Sequence, residues 1–245
     1  FVVHPSPYIT LGIAPAGSLA TMRIADLITF GRAHLEGGLN TQGERWLSEA
    51  SIRAMQTPTI DVPSTSQDAS GSMGLGWGLA EYKASGLRAV SHNGGTNGQC
   101  SLLRLFPEHN ACFAILVNCR GQGEKAIEEI GNDLTLAITG VDLKASASKP
   151  EPVTLTEEQL QPYLGRFKGT HMSFNFVISQ GQLVCRDDDE AQTEYAVIPV
   201  GDDCVDFKIS EEKSLGILRF MNFDTKDGRA MALYCMGRQI LRVGE

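Results

Sequence analysis

Six cysteines are spread along the sequence, but no two form a Cys-x-x-Cys pair. A zinc ribbon and a thioredoxin-like redox centre therefore have no support. A basic excess is missing from both halves. Residues 1–143 carry 9 basic and 13 acidic side chains, and residues 144–245 carry 12 and 16, for a net charge of −8. That balance argues against nucleic acid as a partner. The longest apolar run, "ACFAILV" (111–117), falls far short of the roughly 20 residues of a membrane helix, so no membrane span is expected. None of the five histidines forms a helical pair at metal-ligand spacing. "RDDDE" (186–190) and "DTKDG" (224–228) lack calcium-loop spacing and read as solvated turns. Neither a metal nor a cofactor is expected. No leader-like pattern opens the sequence, and no methionine does. Its start, "FVVHPSPYITLGIAPAG", reads as the middle of something longer, and the compartment stays open.

What is present is an ordinary globular composition, 42% hydrophobic and 20% charged, in a chain long enough for one large or two smaller domains. "TMRIADLITFGRAHLEGG" has helical apolar spacing at 24, 27, 28 and 35, with Thr21 as cap and Gly37-Gly38 as stop. "LSEASIRAMQTP" is a shorter helix capped by Ser48, and 61–72 is a loop by composition. From 73 the period changes to that of strands: "MGLGWGLAEY", "LRAVSHN", "QCSLLRLF" and "ACFAILVN". The helix-forming "GEKAIEEIGNDLTLAITG" follows. Residues 143–155 lack periodicity and read as a linker. Beyond a short "TEEQLQPYLG" turn, eight strand-like runs recur about every ten residues with hairpin-turn chemistry between them. The expected fold is α+β, an antiparallel sheet with packed helices over 1–142. A small all-β antiparallel barrel, lipocalin-like, should occupy 156–245.

Pairing "QCSLLRLF" with "ACFAILVN" across "PEHN" sets Phe106 opposite Ala111, Leu105 opposite Cys112 and Cys100 opposite Val117. Cys100 and Cys112 then lie on opposite faces, which disfavours a disulfide between them. The thiols read as mostly buried and reduced.

"GLGWG" (74–78) is not a dinucleotide loop, because a strand rather than a helix follows it. Close packing of a strand on its neighbour is the better account. His4 and His109 sit in polar loops, His34 on a helix flank and His171 at a strand edge. His92 is different. It stands in "SHNGGTNGQC" at the end of a strand, beside glycines that permit close approach to backbone N–H groups.

The order "PAGSLATMRIADLITFGRAHLEGG", "LSEASIRAM", "GLGWG", "SHNGGTNGQCSLLRLFPEHNACFAILVN" resembles the C-terminal half of the serine β-lactamase and penicillin-binding-protein superfamily. The resemblance covers about residues 10–140 and is strongest to class C β-lactamases and related esterases and D-amino-acid peptidases. The trailing β unit is similar to the barrel appended to some relatives. His92-Asn93-Gly94 matches the family's His-x-Gly strand motif. The resemblance implies that His92 works beside the nucleophile and that the Gly95 N–H forms half of an oxyanion hole. Asn93 and Gly94 would hold an ester, amide or peptide substrate laid along the strand.

The family's nucleophile, the serine of Ser-x-x-Lys ahead of that strand, has no counterpart. Ser146-Lys149 and Ser210-Lys213 have the spacing but follow His92, and no Tyr-x-Asn occurs in residues 1–90. The resemblance implies a serine hydrolase whose nucleophile comes from a missing N-terminal half or a companion chain, with these 245 residues inactive alone. It also implies that residues 111–118 are paired on their far side by a companion chain, a symmetry mate or "FVVHPSPYI" folded back. The alternative is a non-catalytic binding or assembly protein that uses the barrel.

Overall fold

The computed structural model describes residues 21–62, 69–96, 98–119, 121–146, 151–169, 172–187, 193–210, 214–235 and 238–244. Those up to 146 belong to one compact unit and those from 151 to another. The N-terminal segment "FVVHPSPYI", His4 and His171 lie outside the described residues.

The first unit opens with α1 (Ile24–Leu35). The cap is Arg23 rather than Thr21: the Arg23 N–H donates to Asp26, whose carboxylate also holds the Arg23 guanidinium. An acidic side chain in the first turn satisfies an otherwise orphan donor, as a capping box does. Gly37 and Gly38 end the helix with φ of +66° and +93°. α2 (Glu49–Met55) starts as expected at Ser48, whose hydroxyl accepts from the Ser51 N–H.

Six antiparallel strands follow in sequence order: β1 (Ile60–Val62), β2 (Ala69–Met73), β3 (Gly78–Tyr82), β4 (Leu87–Thr96), β5 (Gln99–Phe106) and β6 (Ala111–Val117). The expected loop at 61–72 thus contains strand residues. "ASGSM" has little strand propensity, and its five-residue pairing with β3 supplies what the side chains do not. The β5–β6 register is the one expected, with Cys100 opposite Val117 and Leu105 opposite Cys112.

α3 (Gln122–Thr139) follows the last strand of this unit. Leu102, Phe106, Phe113 and Ile115 turn to one face of the sheet and pack with Ile127, Leu134 and Ile138 of α3. Val90, Leu103 and Leu105 turn to the other and pack with Leu27 and Leu35 of α1. Leu105 and Phe106 are fully buried, one on each face. Burial of one such side chain stabilises by about 1.5–3 kcal/mol. Cys112 sits on the α1 face with its Sγ directed to the Ile28 carbonyl, and none of the six cysteines is in a disulfide. β5 is the neighbour of β6, and no described strand pairs with the other edge of β6. Residues 143–146, inside the stretch read as a linker, form a helical turn, α4 (Leu143–Ser146).

The second unit begins with α5 (Glu157–Leu160), capped by Thr156, and a single 3-10 turn. Eight strands then close an up-and-down antiparallel barrel: β7 (Gly165–Lys168), β8 (Ser173–Ser179), β9 (Gln182–Arg186), β10 (Glu194–Gly201), β11 (Cys204–Lys208), β12 (Ser214–Phe223), β13 (Ala230–Cys235) and β14 (Arg238–Val243). β14 pairs back onto β7, so the barrel has no open edge. Its interior is packed with Phe167, Phe174, Phe176, Phe207 and Phe220 among leucine and valine. Side chains fill a small barrel of this kind.

Candidate functional site

The pairing of β4 creates the site. β3 accompanies β4 only as far as Gly78 opposite Ser91, whereas β5 continues beside it to Thr96 opposite Gln99. Among the described residues, no strand therefore pairs with 92–96 on their β3 side, where Gly74–Trp77 lie outside the sheet. Part of the backbone N–H and C=O groups along that edge faces away from β5, on the side where an extended peptide can add as a strand.

"GLGWG" is explained by close approach. A Cβ on Gly74 would lie 2.1 Å from the Met55 carbonyl oxygen, so only glycine lets this turn meet the end of α2. The Gly74 N–H donates to the Trp77 carbonyl and tightens the turn.

A cavity of about 310 Å³ opens at this notch. Leu27 and Phe30 of α1, Met55 of α2 and Leu103 of β5 make its apolar wall, together with Trp77. His92, Asn93 and Gly94 of β4 and Ser101 of β5 make its polar rim. His92 is exposed at the cavity rather than packed in the core, and Gly95 is exposed on the strand but does not line the cavity. Ser101 lies directly opposite Gly94, its Oγ 2.3 Å from where a Cβ on Gly94 would be. Among the described residues no group of three or more His, Cys, Asp or Glu side chains is placed to hold a metal.

Behind the cavity lies a feature that the sequence reading put on a helix flank. His34 is 2% exposed. Its ring stands 4.8 Å from Phe30, 5.8 Å from Trp46 and 5.0 Å from Trp77, edge-on to each. Neither ring nitrogen has a hydrogen-bond partner. Burial pushes its pKa down, since an imidazolium would lose its hydration there. Phe30 and Trp77 also stack on each other, 6.2 Å apart at 23°.

Sequence reasoning singled out His92, Asn93 and Gly94 but ended the strand at Asn93, whereas β4 runs on to Thr96, and it missed Leu27, Phe30, Met55, Trp77, Ser101 and Leu103. For Ser101 a signal existed. The β4–β5 register, with Thr96 opposite Gln99, sets Ser101 against Gly94. The apolar residues gave none, because a pocket wall and a core face have the same periodicity.

No family model matches the chain. It is 30% identical over 132 residues to penicillin-binding protein 4 of Amycolatopsis lactamdurans, a span of 53% of this chain and 34% of that protein. The similarity to that penicillin-binding protein extends over about half of this chain. Two solved structures of SurE, one with D-Leu, share the fold. They superpose with TM-scores of 0.65 and 0.62 at 22% and 21% identity, each over 90% of this chain. The chain spans about a third of the curated relative's length and about half that of the solved structures.

Proposed function

We propose that the chain is the strand-motif part of a penicillin-binding-protein-like serine hydrolase, cleaving an ester or an amide of a D-amino-acid peptide through an acyl-enzyme. The observation that carries this reading is the open edge of β4, where His92-Asn93-Gly94-Gly95 runs on past the end of β3 beside a cavity. An extended substrate added along that edge is held by main-chain hydrogen bonds, and Asn93 and Gly94 are the residues it lies against. The Gly95 N–H serves as one donor to the oxyanion, a contact whose loss costs about 3 kcal/mol of transition-state stabilisation. His92, exposed on the same strand, passes a proton to or from the reacting group. The nucleophile is the serine of a Ser-x-x-Lys element supplied from outside these residues, on a preceding segment or a companion chain. Such a segment also has a place to pair, the outer edge of β6.

The D-Leu in one SurE structure makes D-leucyl esters and amides reasonable trial substrates. The reading is tested by adding an upstream Ser-x-x-Lys segment, in the same chain or in trans. The 245 residues alone should neither label with a fluorophosphonate nor hydrolyse nitrocefin or p-nitrophenyl esters. The completed protein should do at least one, and lose it on His92→Ala. Labelling of the 245-residue chain on one of its own serines would overturn the assignment of the nucleophile.

A further inference from the structure

We infer that the cavity at the β3–β4 notch is a side-chain pocket that takes one apolar group of branched-alkyl to phenyl size from the substrate. The inference rests on the strand-addition reading above and adds the substrate's chemical class to it.

The geometry follows from strand alternation. Successive side chains of an added strand point to opposite faces of the sheet. On β4, Val90 marks the face that packs with α1, and His92 and Gly94 follow it at intervals of two. Every second side chain of a substrate paired with residues 92–96 therefore projects onto the α1 face, where the cavity lies. Gly94 contributes no side chain of its own, and the Ser101 hydroxyl takes the space beside it, so the edge of the cavity there is a small polar group and not a bulky one.

The wall that receives such a side chain is built for hydrocarbon. Leu27, Phe30, Met55, Trp77 and Leu103 form it, and among the described residues no Asp, Glu, Lys or Arg lines the cavity. A charged side chain would give up its hydration there without a partner. The stacked Phe30–Trp77 pair offers a flat face, held from behind by the His34 ring. At about 310 Å³ the space stands at the low end of the roughly 300–1,000 Å³ of small-molecule sites. It suits one side chain and its adjoining backbone, not a whole oligopeptide.

The test is a 15N-NMR titration of the 245-residue chain with N-acetyl amino-acid methylamides of leucine, phenylalanine, alanine and aspartate, each as both enantiomers. For one enantiomer, the leucine and phenylalanine ligands should bind at least about tenfold more tightly than alanine. They should shift the amides of residues 92–96 and the Trp77 indole together, and aspartate should do neither. Met55→Trp, at a half-buried position on the wall, should abolish the tenfold preference while the residue 92–96 shifts remain. If that variant loses the dispersed spectrum of a folded unit, Leu27→Phe replaces it. Equal affinity for leucine and alanine, with residues 92–96 still shifting, would overturn the pocket and leave the strand edge standing. A leucine preference that leaves Trp77 unmoved would also overturn it. No shift at residues 92–96 with any ligand would sink the strand-addition reading, and the pocket with it.

Discussion

Replacing His34 with leucine should make the first unit more stable, although it removes three ring contacts. A neutral imidazole carries one donor and one acceptor, and at His34 both are buried without a partner. Each such group costs about 1–3 kcal/mol relative to an apolar one of similar shape. The edge-on contacts with Phe30, Trp46 and Trp77 give back about 0.5–1.5 kcal/mol per pair at best, and leucine keeps part of that as packing. A net gain of about 1–2 kcal/mol at pH 7.5 is expected. The gap should widen in acid. Because the folded pKa is depressed, stability from this group is fully present above the unfolded value of 6.5 and is lost as pH falls toward the folded pKa. The wild type then weakens by up to about 1.4 kcal/mol per pH unit relative to His34→Leu. Urea unfolding followed by tryptophan emission measures this cleanly. The two tryptophans are Trp46 and Trp77, and both touch His34, so the signal reports this unit and not the barrel. A loss of 1 kcal/mol or more (roughly the worth of a ring contact), or a difference that stays constant from about pH 8 to pH 5.5, would refute the reasoning.

Gly94→Ala should cost about 1 kcal/mol, because its Cβ would meet the Ser101 Oγ; Ser101→Ala in the same background should recover it, read as a double-mutant cycle in thermal unfolding. Arg242→Met should destabilise the barrel by about 3 kcal/mol or more, as its guanidinium donates to the Leu164, Pro162 and Ala230 carbonyls while lying 4.9 Å over Phe167. Arg242→Lys should recover little of this in circular-dichroism melts, since one ammonium cannot span three carbonyls. Tyr163 is pushed up to about 12 by burial and by its 2.9 Å hydrogen bond to Asp203. In an ultraviolet difference titration Asp203→Ala should lower its midpoint, but not to the ordinary value, because the burial remains.

The elements that sequence made legible were those whose local chemistry agrees with their tertiary setting. The barrel strands alternate and are separated by turn residues, so their number and order could be read directly. The β5–β6 register followed from the length of one turn, and Asn110, in the left-handed region at φ 46°, is the residue that makes that turn. β2 was illegible because "ASGSM" carries almost no strand signal, and its partner β3 decides its conformation. The single run "MGLGWGLAEY" hid a break at residues 74–77, since glycine and tryptophan suit a strand and a turn equally well. The burial of His34 on its helix was illegible for a related reason. Helical spacing shows which residues share a face, but an aromatic cage drawn from residues 30, 46 and 77 exists only after folding. The motif residues on β4 could be found, while the wall opposite them could not, because it comes from four separate elements.

The closure of the barrel has a consequence for its biosynthesis. Every strand pairing but one joins neighbours in sequence; the exception is β14 on β7, with Val243 opposite Arg166. Hairpins from β7 onward can zip up as they emerge from the ribosome, because each needs only the strand just made. The ring itself cannot shut until Arg238–Val243 has cleared the exit tunnel. Until then β7 and β13 both present open edges, with the phenylalanine interior exposed between them. This unit must therefore finish folding after its last strand is translated, and the interval before closure is when a nascent chain would most need a chaperone.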